Sequence, residues 1–161
     1  RIPQELQEDK ILLGECLGGA MYTEDFRRMM REIGMADTRV ISKTALELHD
    51  PDVVAKAGMI NFSSITVRAF KVALEDVCED YGQVAYYNGT IDQHPHSFTL
   101  DDHHEFFTGK PMLVCSNTAN MIKDTRFAPH FRIEGDMSKH YGVFDCAPSG
   151  ASSAAEGGAC C

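Results

Sequence analysis

Apolar residues at Phe26, Met29, Met30 and Ile33 recur at helical spacing and predict an amphipathic helix over 23–33. Thr23 is its expected N-cap, Glu24 and Asp25 suit the positive end, and Gly34 closes it. Pro3 opens an earlier helix, about 3–13, whose apolar end Ile11-Leu12-Leu13 leads into a turn. Residues 38–48 are rich in β-branched side chains with loose alternation and read as a strand. His49-Asp50-Pro51 stops it, and Asp50 caps a helix running from Pro51 through Val53, Val54 and Ala57 to Gly58. The run 62–72 alternates most strongly, with Ile65, Val67 and Ala69 on one face of a second strand. This order fits the closing part of an α/β sheet whose earlier strands are absent, because two strands with two open edges make a poor independent sheet.

The composition shifts at the acidic, turn-like segment Leu74-Glu75-Asp76-Val77-Cys78-Glu79-Asp80, which marks a boundary to a second unit. Gln83-Val84-Ala85-Tyr86-Tyr87 reads as a strand, and Asn88-Gly89 is the strongest short hairpin signal, with Thr90 and Ile91 beginning the return. Short strands are expected at 97–100, 105–107, 112–115 and 141–144, and a helix at 117–124, with Phe127, Phe131 and Ile133 adding core. From Ala147 the chain has little to bury except Cys160 and Cys161, and disorder is expected there. The expected units are therefore 1–72, 73–146 and a flexible Cys-terminated tail, 147–161.

With 161 residues the chain is long enough for one ordinary domain. Its 43% apolar and 24% charged content suits a soluble globular protein, and no window approaches the ~20 apolar residues of a membrane span. A formal charge of -9 argues against a nucleic-acid partner, which calls for a basic face. The chain opens on Arg1 with no targeting pattern, so it is expected to be a piece of a longer protein, with the cytoplasm as the default location.

The candidate chemistry is sparse. The six cysteines have no framework spacing and no CxxC pair, and the adjacent Cys160-Cys161 read as thiols rather than a mutual disulfide. No glycine-rich nucleotide loop and no Ser-His-Asp context occurs. His94, His96, His103 and His104, with Asp101 and Asp102, form the densest nitrogen and oxygen ligand group, either a zinc site or a solvated polar loop. Cys16 stands just upstream of a helix start, where oriented N–H groups favour a thiolate, beside Gly18 and Gly19, which can take positive φ. The alternative is that Cys16 is a small buried hydrophobe.

The segment Gly14-Glu15-Cys16-Leu17-Gly18-Gly19-Ala20-Met21-Tyr22 resembles the GECLGGALY segment of arsenite methyltransferases that use S-adenosylmethionine. Further similar stretches follow in the same order: Phe62-Ser63-Ser64-Ile65-Thr66-Val67-Arg68-Ala69-Phe70-Lys71, Cys78-Glu79-Asp80-Tyr81-Gly82-Gln83-Val84-Ala85, Tyr87-Asn88-Gly89-Thr90-Ile91 and Thr125-Arg126-Phe127-Ala128-Pro129-His130-Phe131. The resemblance covers about residues 2–146. It implies that 1–72 close a Rossmann-like methyltransferase domain and that 73–146 form an α+β arsenic-binding and C-terminal region. The glycine-rich donor loop would lie upstream.

By the same resemblance Cys16 is an arsenic ligand and the catalytic cysteine, while Cys78, Cys160 and Cys161 are further candidate ligands. S-adenosylmethionine is the implied methyl donor, bound mainly by the missing upstream part. A thiol reductant such as glutathione or thioredoxin is implied too. Arsenite and its thiol conjugates are the implied partners of a monomer that takes neither nucleic acid nor membrane. The chemistry agrees, since trivalent arsenic is soft and prefers thiolates, and Glu15 is a candidate acceptor beside Cys16. A second reading is a soft-metal module in which Cys160-Cys161, with Cys78, capture a metal without turnover. A third is a histidine-based zinc protein.

Overall fold

The computed structural model describes residues 1–146. The apolar segment near the N-terminus forms two short helices rather than one, α1 (Gln4–Gln7) and α2 (Lys10–Gly14). The break falls at Asp9, whose side chain accepts hydrogen bonds from the Ile11 and Leu12 amides at 2.9 and 3.1 Å and so starts a new helix. α3 (Thr23–Glu32) follows, but its N-cap is Tyr22, with no capping side chain. Thr23 is the first helical residue, which corrects the expected cap by one position. Gly34 lies just past the Ile33 C-cap with φ +86, the left-handed conformation that a helix stop favours.

Strand β1 (Thr38–Ala45) and strand β2 (Ser63–Ala69) pair with each other as an antiparallel two-stranded ribbon with an irregularity between Val40 and Ser42. Between them lies α4 (Pro51–Ala57), with Pro51 in its first turn. The Asp50 side chain accepts from the Asp52 and Val53 amides at 2.8 and 3.2 Å. An Asp50→Ala change removes this cap and is expected to cost about 1 kcal/mol in urea unfolding, with an unchanged slope. Leu12, Leu17, Val53, Ala57 and Phe62 form a small core under these elements.

The second half folds around a three-stranded antiparallel sheet. The two-residue strand β3 (Glu79–Asp80) precedes β4 (Gln83–Tyr87), then come β5 (Ser97–Thr99), β6 (Glu105–Phe107), β7 (Pro111–Val114), α5 (Ser116–Lys123), a 3-10 turn at Ala128–His130, β8 (Phe131–Glu134) and β9 (Gly142–Val143). β4 is central, flanked by β7 and β8, whereas β5 pairs with β6 and β3 with β9. The expected Asn88-Gly89 hairpin does not form. The chain turns there at Gly89, φ +72, but the Tyr87 hydroxyl accepts the Ile91 amide at 3.0 Å and donates to the His94 carbonyl at 2.7 Å. The edges of β4 are taken by distant strands, so no return strand can pair beside it. The acidic segment expected as a plain boundary contains β3, which is needed to pair β9.

Ala85, Tyr87, Phe98, Leu100, Phe106, Val114, Met121 and Ile122 are buried in the larger core. Tyr87 and Phe131 meet at 5.0 Å between ring centroids, and Phe98 and Phe127 at 5.1 Å, separations that tilted aromatic pairs favour. The β1–β2 ribbon reaches this core through Phe70, through Arg68 lying 5.2 Å over the Phe98 ring, and through a buried ion network. Arg39 Nε donates to Asp37 Oδ1 at 3.0 Å and Arg39 Nη1 to Asp101 Oδ2 at 3.0 Å. Both Arg39 and Asp101 are at most 3% exposed. Among the described residues no helix is long and apolar enough to cross a membrane.

Candidate functional site

Cys16 owes its position to the way α2 ends. The Leu17 and Gly18 amides both return to the Leu12 carbonyl, at 2.8 and 2.9 Å, while the Leu12 and Leu17 side chains turn into the small core. That closure turns the backbone at Cys16 to φ +60 and leaves its thiol exposed. The left-handed residue is therefore the cysteine, not the glycines for which positive φ was expected. Gly18 has a different reason: a Cβ there would meet the Gln7 carbonyl at 3.1 Å and Leu13 at 3.2 Å. Gly19 faces open space.

The thiol borders a cavity of about 600 Å³ whose wall includes Met21, Tyr22, Lys43, Ile60 and Phe62. The cavity is formed by the turn after α2, the start of α3 and the β1–β2 ribbon. Residues 17–22 intervene between Cys16 and α3, so the thiol does not sit on the helix start itself. Glu15 is exposed at the end of α2.

A second thiol group lies in the other half. The sulfurs of Cys78, Cys115 and Cys146 fall within 4.8 Å of one another. Cys115 is the N-cap of α5, and its Sγ accepts from the Thr118 amide at 3.4 Å. Cys78 precedes β3, and its carbonyl accepts from the Phe144 amide at 2.8 Å, so the β3–β9 ribbon carries Cys146 to the same end. Asn117 holds the 75–77 segment against α5, with its Oδ1 accepting the Glu75 amide at 2.8 Å and its Nδ2 donating to the Glu75 carbonyl at 3.0 Å. Cys78 and Cys115 are buried and Cys146 is half-buried. The Cys115 thiol is pulled down to about 5, chiefly by its hydrogen bond with Cys146; burial opposes this, while Thr118 and the charge of Arg39 add to it. Cys78 is disulfide-bonded, whereas Cys115 and Cys146 carry thiols, so ligation by all three sulfurs requires reduction.

Among the described residues this trio is the one group of three or more His, Cys, Asp or Glu side chains close enough to hold an ion. Two of the candidate histidines make other contacts. His104 is buried and its Nδ1 meets Asp101 Oδ1 at 2.7 Å, and the His94 ring stands edge-on to Phe98 at 5.8 Å. Of the sequence candidates, Cys16 and Cys78 lie in separate groups, and Cys160 and Cys161 fall outside the described residues. The expected disorder of 147–161 falls outside them as well. Sequence reasoning missed Cys115 and Cys146. The available signal was Cys115 directly before the helix-capping run Ser116-Asn117-Thr118.

Residues 80–156 match the family described as arsenite methyltransferase C-terminal domain. The chain is 45% identical over 146 residues to an arsenite methyltransferase of Aquipseudomonas alcaligenes, covering 90% of this chain and 42% of that one. It is 32% identical over 130 residues to the mouse arsenite methyltransferase, covering 81% of this chain and 34% of that one. Among solved structures, an arsenic (III) S-adenosylmethionine methyltransferase from Chlamydomonas reinhardtii superposes with a TM-score of 0.80 at 50% identity, covering 90% of this chain and 49% of that one. The chain thus spans less than half the length of each of these relatives. Over that span it is similar to the C-terminal portion of arsenite methyltransferases, with residues 80–156 matching the family's C-terminal domain.

Proposed function

We propose that the chain takes part in S-adenosylmethionine-dependent methylation of trivalent arsenic, converting arsenite to methylated arsenicals. Cys16 holds the arsenic, and the rest of a longer protein supplies the donor site. The observation that carries this reading is the exposed Cys16 thiol at the rim of a cavity lined by Met21, Tyr22, Ile60 and Phe62. It stands in a segment that resembles the GECLGGALY segment of the family, within a span half-identical to the algal enzyme.

Thiolate ligation suits soft trivalent arsenic and leaves its lone pair available. The donor, when bound, supplies a methyl group on a sulfonium centre. What these residues contribute is orientation and partial exclusion of water. The Leu12 and Leu17 anchors fix the turn that presents Cys16 to a cavity whose wall mixes apolar Met21, Ile60 and Phe62 with polar Lys43, Asn61 and Ser63. A thiol reductant such as glutathione or thioredoxin keeps the ligand cysteines reduced. In the longer protein, residues 1–72 close the Rossmann-like domain and 73–146 form the following region.

The test is a methylation assay with arsenite, donor and thiol. The longer protein should form methylated product and the 161-residue chain none. Turnover by the chain alone would remove the claim that the donor site lies elsewhere.

A further inference from the structure

We propose that Cys78, Cys115 and Cys146 form, when reduced, a second trivalent-arsenic site, separate from the Cys16 cavity and without a role in methyl transfer. The three sulfurs come from the start of β3, the cap of α5 and the strand end after β9, and they lie within 4.8 Å of one another. Taking the zinc–sulfur bond of about 2.3 Å as a yardstick, sulfurs around one ion sit about 3.7 Å apart or closer, so small side-chain rotations close the set. Two of the cysteines are buried, and half-buried Cys146 supplies the way in.

The donor set selects the ion. It holds three sulfurs and no imidazole or carboxylate. Zinc favours four ligands, and zinc with three thiolates would leave a negative charge in a buried place. Arsenic(III) with three thiolates is neutral and three-coordinate, which a buried trio tolerates. The binding step is As(OH)3 with three thiols giving As(SR)3 and three water molecules, with no change of oxidation state.

The disulfide at Cys78 must open first. Two thiols of a small reductant supply two electrons and two protons, leaving Cys78 and its former partner as thiols and the reductant as its own disulfide. The site is thus available only under reducing conditions. Its position is fixed by contacts that do not involve sulfur, the Asn117 clamp on Glu75 and the β3–β9 pairing, so the cysteines approach one another whatever their oxidation state.

The choice of arsenic as the ion rests on the proposed function. The test uses the 161-residue chain carrying C16S, C160S and C161S, in which Cys78, Cys115 and Cys146 are the remaining cysteines. After treatment with a phosphine reductant it is incubated with arsenite, desalted, and assayed for arsenic content and for sulfur neighbours by arsenic K-edge absorption. The expected result is one arsenic per chain with three sulfur neighbours. Adding C115S, whose hydroxyl can still cap α5, or C146S at the rim should each weaken retention at least ~10-fold.

No retention by the triple variant while the unmodified chain binds arsenite would overturn this site and leave the Cys16 reading standing. Retention unaffected by both C115S and C146S would overturn it as well. No binding by the unmodified chain would overturn this site too; the Cys16 reading is tested separately, on the longer protein.

Discussion

Replacing Asp101 by alanine is expected to lower stability by about 3 kcal/mol, or roughly 6–12 °C in Tm for a chain of this size. Asp101 is 1% exposed, and its two oxygens serve different groups. Oδ2 accepts from Arg39 at 3.0 Å, while Oδ1 accepts the His103 and His104 amides at 2.9 and 2.8 Å and meets His104 Nδ1 at 2.7 Å. Among the described residues, removing the carboxylate leaves the guanidinium of Arg39 buried with Asp37 alone, and Arg39 Nη2 already has no hydrogen-bond partner there. That remaining partner keeps the expected cost at the lower end for a broken buried pair. Asp102→Ala changes a neighbouring half-exposed carboxylate and should move stability by no more than ~0.5 kcal/mol.

The same carboxylate sets the acid limb. Burial works against the charged form of Asp101, but the His104 hydrogen bond and charge, the His103 amide and Arg39 outweigh it and hold the group well below the usual carboxylate range. An acid whose folded pKa is depressed contributes stability that is complete above its unfolded value of about 3.9 and is lost as pH falls further. Asp37 works in the opposite sense, because its burial outweighs Arg39 and raises its pKa. The Asp101 shift is the larger, so urea midpoints should fall below about pH 4. In Asp101→Asn that fall should be shallower.

Cys16→Ser in the longer protein should lower kcat/KM for arsenite methylation at least ~100-fold while leaving donor affinity and Tm unchanged. Losing a group that merely supports a metal ligand already costs up to ~100-fold, and losing the ligand itself costs more. A serine oxygen is a hard ligand that soft arsenic does not favour, so the loss should appear in capture and orientation of arsenic. The fold should not respond, because the thiol is exposed and serine can follow the same backbone. A Cys16→Ser protein that methylates at the normal rate would remove Cys16 from the reaction.

Local sequence signals succeeded where neighbours in the chain decide the outcome. Asp50-Pro51 starts α4, and Ile65, Val67 and Ala69 share the half-buried face of β2. The signals failed where distant segments decide. Asn88-Gly89 has hairpin chemistry, yet Tyr87 uses its hydroxyl to tie down the loop while β7 and β8 occupy both edges of β4. The long N-terminal helix was split by Asp9, whose capping bonds outcompete continuation and whose carboxylate also pairs with Lys56.

The candidate site divides in the same way. Cys16 could be singled out as a candidate because its whole motif is contiguous. Cys115 and Cys146 could not be, because their approach to Cys78 depends on the β3–β9 pairing and the Asn117 clamp, and neither leaves a local pattern. The histidine cluster left two readings open for a related reason: His104 is taken up by Asp101, a bond that spacing alone cannot tell from a metal site.

Thiol footprinting of the longer protein tests the assignment of arsenic to Cys16 most directly. The reduced protein is alkylated with and without arsenite, and modification is read peptide by peptide by mass spectrometry, which separates Cys16 from the Cys78, Cys115 and Cys146 group. The account predicts that arsenite slows alkylation of Cys16, and that this protection disappears with a competing dithiol. Unchanged alkylation of Cys16 in a sample shown to have bound arsenite would contradict it.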